Sequence, residues 1–178
     1  MSPLNAQTLQ QEREENYTVT VPNTTITVRG CVAPGSLVTI FNDNSPVGTA
    51  IAQSDGNFNK VIILTTDGIH NIKAYYEDLD GNTSSSVSKN VSVKIHTDTP
   101  TNIALPPVVK IAKPIYALGE QLIFTGSTCP NKQVILDIDD TINVQAISEN
   151  DGRWYAIVPS VGYNVGEHTF KAFSTIFS

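Results

Sequence analysis

An internal repeat constrains the fold of this chain more than any other feature of its sequence. Glycine, proline, valine and aromatic positions recur at a constant offset of 96 residues. The matched pairs are Gly30 and Gly126, Pro34 and Pro130, Val38 and Val134, Gly56 and Gly152, and Phe58 and Trp154. Self-similarity at a fixed period indicates repeated structural units, so the sequence predicts two copies of one module of about 90 residues. We expect these ten residues to serve turns and the core, with Trp154 as a buried core anchor.

Within each copy, apolar residues alternate with polar ones over short segments that end in turn residues. Ile72, Ala74 and Tyr76 alternate with polar neighbours, and Asp55-Gly56 precedes the segment that Phe58 opens. Period-two alternation is typical of half-buried β-strands, and Asp-Gly is typical of a type I′ hairpin turn. About seven such segments in a module predict an all-β fold of two β-sandwiches.

These patterns divide the chain into four parts. Residues 1–15 are rich in Gln and Glu and predict a flexible leader. The first module covers residues 16–97, and residues 98–107 contain three prolines, which predict a stiff linker. The second module covers residues 108–178.

The second module lacks a counterpart of the first module's last strand. The segment that begins at Gly68 returns at Gly166, an offset of 98, so the last residue corresponds to position 80. The first module continues beyond that position to about Ile95. A sandwich without this strand exposes unpaired backbone groups at a sheet edge. Either further residues of a longer chain supply the strand, or another chain donates it, for which Tyr17–Val21 is the natural donor.

The two cysteines, Cys31 and Cys129, lie one in each module, at positions that the repeat does not match. A bond between them would have to span the modules and meet the narrow geometry of a disulfide. We therefore expect two small, partly buried free thiols.

The charge and hydropathy of the chain exclude some classes of partner. The net charge is −6 without a basic cluster, so binding to nucleic acid through its phosphates is not expected. No apolar run approaches the roughly 18 residues of a membrane-spanning helix, and Met1–Asn16 has no signal-peptide pattern. The chain is then either intracellular or a piece of a longer secreted protein.

Five motifs taken in order resemble a known family. They are Gly30-x-x-x-Pro34-Gly35, Val38-x-Ile40, Ser54-Asp55-Gly56-x-Phe58, Asp67-Gly68-x-His70 and Asp80-Gly81-Asn82-Thr83-Ser84. Together they resemble bacterial immunoglobulin-like (Ig-like) modules, which are strung in tandem along large surface proteins and adhesins. The likeness covers the first module and the second as far as Lys171-Ala172, with Asn131 in place of a glycine. It implies two tandem Ig-like β-sandwiches, the second without its last strand, and an extracellular or cell-surface location.

The resemblance implies a role without catalysis, and three functions stay open. The first is a spacer or adhesive module of a bacterial surface protein. Its partners would be neighbouring modules of the parent chain and a host or glycan ligand, without direct membrane insertion. The second is a subunit that assembles with copies of itself, into a fibre or a swapped dimer, by strand donation. The third is a carbohydrate-binding accessory module of a secreted enzyme, for which Tyr75, Tyr155 and Tyr163 are the exposed candidates.

The modules also resemble ones that hold Ca²⁺ at their borders, and one acidic segment fits that chemistry. Oxygen ligands stand at alternate positions in the loop, and another carboxylate lies in the predicted linker. The candidate calcium ligands are Asp78, Asp80, Asn82 and Asp98. No other cofactor is expected. His70 and His168 occupy matching positions, so we expect them to serve a contact within each module, and no catalytic residues are predicted.

Overall fold

A computed structural model describes Thr18 and residues 20–174, and in this part of the chain all regular structure is β-strand. The strands are β1 (Thr24–Cys31), β2 (Leu37–Asn42), β3 (Ser45–Ile51), β4 (Asn57–Leu64), β5 (Gly68–Glu77), β6 (Val87–Val93), β7 (Asp98–Asn102), β8 (Val108–Ile111), β9 (Gln121–Ser127), β10 (Gln133–Ile138), β11 (Ile142–Ile147), β12 (Arg153–Pro159) and β13 (Phe170–Ser174). The described residues include no helix long and apolar enough to cross a bilayer. The predicted leader, residues 1–15, lies outside the described residues, as do Tyr17 and Val19 of the predicted donor segment.

The first module is a sandwich of two sheets, with strand orders β4-β1-β7 and β3-β2-β5-β6. Alternation in β5 places Ile72, Ala74 and Tyr76 on its inner face, where all three are inaccessible to solvent. They pack with inward residues of the other sheet, such as Ile26 and Val28. The inner faces therefore form one continuous core, as expected for two packed antiparallel layers.

The second module repeats this plan with strand orders β12-β9-β8 and β11-β10-β13. Its separate core contains Phe124, Leu136 and Trp154, and Trp154 is 2% exposed. Strands β9 to β13 correspond to β1 to β5, and residues 20–174 include no counterpart of β6 beside β13. The fold prediction of two tandem Ig-like β-sandwiches, the second without its last strand, is thus confirmed.

The predicted linker at 98–107 is wrong over most of its length. Asp98–Asn102 forms β7, which runs parallel to β1 and pairs with its free edge. Ile103 and Leu105 are 2% and 1% exposed, and both belong to the first module's core. Prolines suggest a linker, but Pro100 lies on an edge strand, which tolerates it, and Pro106 and Pro107 follow the buried residues Ile103 and Leu105.

The position of β7 decides how the chain leaves the first module. In the second module the flank of β9 is held by β8, which precedes it and runs antiparallel to it. In the first module the matching edge of β1 pairs with β7. This strand follows β6 in the chain and runs parallel to β1. Strand β7 therefore carries the chain back along the module, to the end at which β1 finishes.

The turns also differ from expectation at one motif. Both central residues have positive φ in the β2–β3 turn at Asp43-Asn44 (49° and 68°), and the same holds at Asp139-Asp140 (57° and 54°) between β10 and β11. These are the type I′ hairpins. At Asp55-Gly56 only the glycine has positive φ, and β3 and β4 belong to different sheets. The predicted type I′ hairpin there is wrong; the segment is a corner between sheets.

Candidate functional site

The two modules meet through the same end of each sandwich. Strands β1 and β9 both run toward this junction, which we define by the loops that follow them (residues 31–36 and 127–132) and the corners at Gly56 and Gly152. A methyl group at Gly56 would lie 2.7 Å from Cδ of Pro130, and one at Gly152 would lie 2.9 Å from Cα of Ala33. Each corner thus packs on the loop of the other module, in an approximately two-fold arrangement.

A disulfide joins the modules at the centre of the junction. Cys31 ends β1, Cys129 follows β9, and their Cα atoms are 5.2 Å apart. Both side chains are buried, and the described residues contain no free cysteine. The expectation of two free thiols is wrong, because the two cysteines do meet the geometry that a disulfide between modules requires. Strand β7 reverses the chain and brings the ends of β1 and β9 together.

One buried hydroxyl group bridges the modules beside the disulfide. Tyr76, at the end of β5, is inaccessible to solvent. Its hydroxyl donates to the Ser127 carbonyl at 2.7 Å and accepts from the Val108 amide at 3.0 Å. Burial raises the pKa of Tyr76 to about 12, against the opposing effect of these hydrogen bonds. The phenol therefore stays neutral and keeps its donor at physiological pH.

The loop after β5 reaches from the first module to the second. Asp78 accepts hydrogen bonds from the backbone amides of Asp80 and Asn82, which hold the loop in shape. Its second oxygen accepts from the Ser127 hydroxyl at 2.9 Å, and Asp80 accepts from Arg153 at 3.0 and 3.2 Å. The Asp80–Arg153 pair is well exposed, so its net stabilisation is small, but it helps to set the loop's position.

The candidate calcium ligands fall into two places. Asp78, Asp80 and Asn82 share the junction loop, but Asp80 is paired with Arg153. Asp98 begins β7 beside Thr25, at the end of the first module away from the junction, so the four-residue set is not assembled. The hydroxyls of Thr25 and Thr27 donate to Asp98 and lower its pKa. Among the described residues no cluster of three or more acidic, His or Cys side chains is arranged for a metal. Whether the protein binds Ca²⁺ at all is untested by this geometry, and that part stays a prediction.

Two clefts flank the junction, one on each side, and the repeat relates them. Each lies on the outer face of the sheet that contains β4 or β12. The first is lined by polar side chains that include Arg29, Asn57, Asn59, Asn102 and Lys132. The second is lined by Lys110, Thr125, Glu149, Arg153 and Tyr155 of the second module and by Asp78, Asp80 and Asn82 of the first. We call this second one the Tyr155 cleft.

The three tyrosines expected to be exposed differ in their surroundings. Tyr155 is 63% exposed on the outer face of β12. Tyr75 is half-buried and contacts the Phe41 ring, and Tyr163 is half-buried against the second module's core. Only Tyr155 of the three therefore presents an open ring, and it is also the one in a cleft.

The matching histidines occupy matching sites, away from the clefts. Nδ1 of His70 lies 3.3 Å from Asp43, and that of His168 hydrogen-bonds Asp139. Asp43 lies in the β2–β3 turn and accepts a hydrogen bond from the Asn71 amide of β5. Asp139 lies in the matching β10–β11 turn and accepts one from the Thr169 amide, just before β13. The Asp139 carboxylate raises the pKa of His168, and the His168 hydrogen bond lowers that of Asp139. The Asp139–His168 pair clamps the turn in the second module, and His70 lies beside the matching aspartate in the first, so both histidines make a contact within their own module.

Sequence reasoning missed the residues that make the junction. The alternation predicts only that Tyr76 lies on one face of a half-buried strand, and no feature of that strand indicates a partner in the other module. One usable signal was present: Thr101, Ile103 and Leu105 alternate in the predicted linker, and all three are buried. That alternation is typical of a strand.

The chain was compared with family models, curated proteins and solved structures. No family model and no curated protein matches the sequence. Among solved structures, the fibronectin(III)-like modules of CbhA from Clostridium thermocellum are 17% identical, with a TM-score of 0.27, and the match covers 80% of this chain and 70% of that one. A candidate carbohydrate binding protein from Bacteroides uniformis is 12% identical, with a TM-score of 0.31, and the match covers 86% and 80%. With TM-scores this low, the two matches carry no argument about function.

Proposed function

We propose that this chain is a pair of bacterial Ig-like modules that serves as a non-catalytic spacer in a cell-surface protein. The observation that carries the proposal is the junction, where a disulfide, the Tyr76 bridge and the Asp80–Arg153 pair hold two sandwiches in one orientation. A spacer must keep its ends at a set distance, and a covalent bond with buried hydrogen bonds opposes bending. The two sandwiches therefore act as one stiff unit.

The disulfide also supports a location outside the cytosol. Disulfides persist in oxidising compartments and are rare where thiol reductants are abundant. Cys31 and Cys129 are both buried, so a reductant reaches the bond only when the junction opens. An extracellular or cell-surface location is therefore part of the proposal.

Small-angle X-ray scattering tests the spacer role. The oxidised protein should fit a single end-to-end arrangement of the two sandwiches. A Cys31→Ala/Cys129→Ala variant should give a broader distribution of dimensions, because one of three constraints is gone. Reductant should broaden the wild-type distribution and leave the variant unchanged, which controls for side effects of the reductant. An oxidised protein as variable in shape as the variant would overturn the proposal.

A second candidate function is assembly by strand donation, and two observations favour it. Residues 20–174 place no strand on the outer edge of β13, where the first module has β6. In addition, the repeat predicts that the segment before β1 pairs with β1, as β8 pairs with β9. In the structure β7 occupies that edge of β1 instead. That segment includes Val21, which is 58% exposed and outside any strand. Within residues 20–174, the outer edge of β13 is unpaired and residues 20–23 belong to no strand.

Light scattering decides between the candidates. Donation predicts a dimer or a polymer whose mass falls to that of the monomer in a Val21→Pro variant, because proline removes a donor that a paired strand needs. A monomeric wild type at high concentration excludes donation and leaves the spacer.

A further inference from the structure

The Tyr155 cleft combines an open aromatic ring with polar groups of both kinds. Tyr155 lies opposite Thr125 in the β9–β12 ladder, and the next outward pair along the ladder is Ile123 and Ile157. The isoleucines are 40% and 47% exposed. A flat apolar strip thus runs along the outer face of the sheet and ends at the junction, with the Tyr155 ring as its largest member.

Charged and amide groups border this strip at the junction end. Lys110 and Arg153 are donors, Asp80 and Glu149 are acceptors, and Asn82 offers both. The charges nearly cancel, and Arg153 and Asp80 already neutralise each other. Such a border suits a neutral ligand with many hydroxyl groups, because a hydroxyl both donates and accepts. A polyanion is disfavoured by the net charge of −6.

We propose that the Tyr155 cleft binds a neutral oligosaccharide. The Tyr155 ring stacks on the apolar C–H face of one sugar ring, and Asp80, Asn82 and Arg153 exchange hydrogen bonds with its hydroxyls. A sugar ring has an apolar face and a polar rim, and the cleft offers the complement of each. This inference does not depend on the spacer role. It rests on the residues that line the cleft, and a spacer does not need a binding cleft.

The two modules build the cleft jointly. The loop with Asp80 and Asn82 comes from the first module and is held against the second by the Asp78–Ser127 hydrogen bond and the nearby disulfide. Fixing polar groups before the ligand arrives lowers the entropy lost on binding. The repeat-related cleft in the first module has Asn59 where the second has Tyr155, so it lacks the aromatic platform.

The test is a panel of neutral hexasaccharides, built from β-linked glucose, xylose, mannose or N-acetylglucosamine, titrated calorimetrically into the oxidised full chain. At least one should bind, with the millimolar to micromolar affinity expected of a single shallow site. Tyr155→Ala should weaken binding about tenfold or more, while Tyr155→Phe, which keeps the ring, should retain most of it. Asn59→Ala, the matched position in the other cleft, should leave binding unchanged.

Two results would overturn the inference: absence of binding to the whole panel at millimolar concentrations, or equal binding by wild type and Tyr155→Ala. The far-ultraviolet circular dichroism of each variant checks that it is folded. The scattering experiment above is independent, because loss of Tyr155 leaves the junction's disulfide and the Tyr76 bridge in place. A failed titration with an unchanged scattering curve therefore counts against the cleft alone.

Discussion

The hydroxyl of Tyr76 donates a hydrogen bond to the carbonyl oxygen of Ser127 across the border between two modules, over 2.7 Å. The same hydroxyl accepts a hydrogen bond from the Val108 amide, so one buried oxygen atom pairs with backbone groups on two strands of the second module. Buried polar groups must be paired, and Tyr76, Val108 and Ser127 are all buried.

Tyr76→Phe should lower the free energy of unfolding by about 1–3 kcal/mol, because it leaves the Ser127 carbonyl and the Val108 amide without a partner. Urea denaturation followed by tryptophan fluorescence measures this. Tyr75→Phe is the matched control, since its hydroxyl belongs to a half-buried neighbour in the same strand, and it should change little. Equal effects of the two variants would mean that the bridge adds nothing to stability.

Loss of the disulfide should destabilise the chain by more than loss of one hydrogen bond. The bond closes a loop over a sequence separation of 98 residues, for which chain-entropy estimates give about 4–5 kcal/mol. The Cys31→Ala/Cys129→Ala variant should therefore unfold at a clearly lower urea concentration than the oxidised wild type. Thiol alkylation with mass detection verifies the oxidation state, and a wild type fully labelled before denaturation would contradict the bond.

The stability of the second module should depend on pH through His168 and Asp139. The folded pKa of His168 is raised, so its contribution is complete below the unfolded value of about 6.5 and is lost as the pH rises through the folded pKa. The folded pKa of Asp139 is lowered, so its contribution is complete above about 3.9 and is lost as the pH falls through the folded pKa. The free energy of unfolding should thus decline between about pH 6 and 8.

Urea titrations across that range test the histidine. His168→Gln should flatten the decline. Asp140→Asn removes the neighbouring ion pair with Lys171 and should keep the decline, because it leaves the His168 contact in place. A slope that His168→Gln does not reduce would assign the pH dependence to other groups.

Gly126→Ala should destabilise the second module by about 3 kcal/mol, through overpacking. The added methyl group would lie 1.9 Å from the Val108 carbonyl oxygen, which the β8–β9 ladder holds, and 2.8 Å from Nε1 of the buried Trp154 side chain. Thr125→Ala, one residue earlier on the outer face, is the control for the substitution. Equal thermal midpoints for the two variants would show that β8 shifts at no cost.

Local sequence patterns were sufficient to predict the fold of each module. Period-two alternation depends on which face of a strand is buried, and that is set within each sandwich, as in β5 and β12. The motif glycines have local reasons too, since Gly30 leaves room for the Phe58 ring just as Gly126 leaves room for Trp154. The alternation and the glycine–aromatic contacts recur in both modules, so the sequence repeat was sufficient to indicate them.

The relation between the modules could not be predicted in this way. It depends on β7 and on its parallel pairing with β1, and Pro100 in this strand masks the alternation of Thr101 and Ile103. Once that strand was taken for a linker, Cys31 and Cys129 had no reason to meet, and the calcium set included Asp98. Tyr155 could be named as a candidate from the sequence, but its cleft could not, because Asp78, Asp80 and Asn82 of the other module line it.

The disulfide also decides which part of the chain would carry a stretching load. Tension applied at the two termini passes through the Cys31–Cys129 bond and bypasses the chain between them, a separation of 98 residues. At about 3.4 Å per extended residue, roughly 330 Å of polypeptide stays out of the load path as long as the bond is intact. Strands β2 to β9 all lie within that shielded loop. Reduction would release this hidden length, so the redox state of one bond sets how far the chain extends when it is pulled.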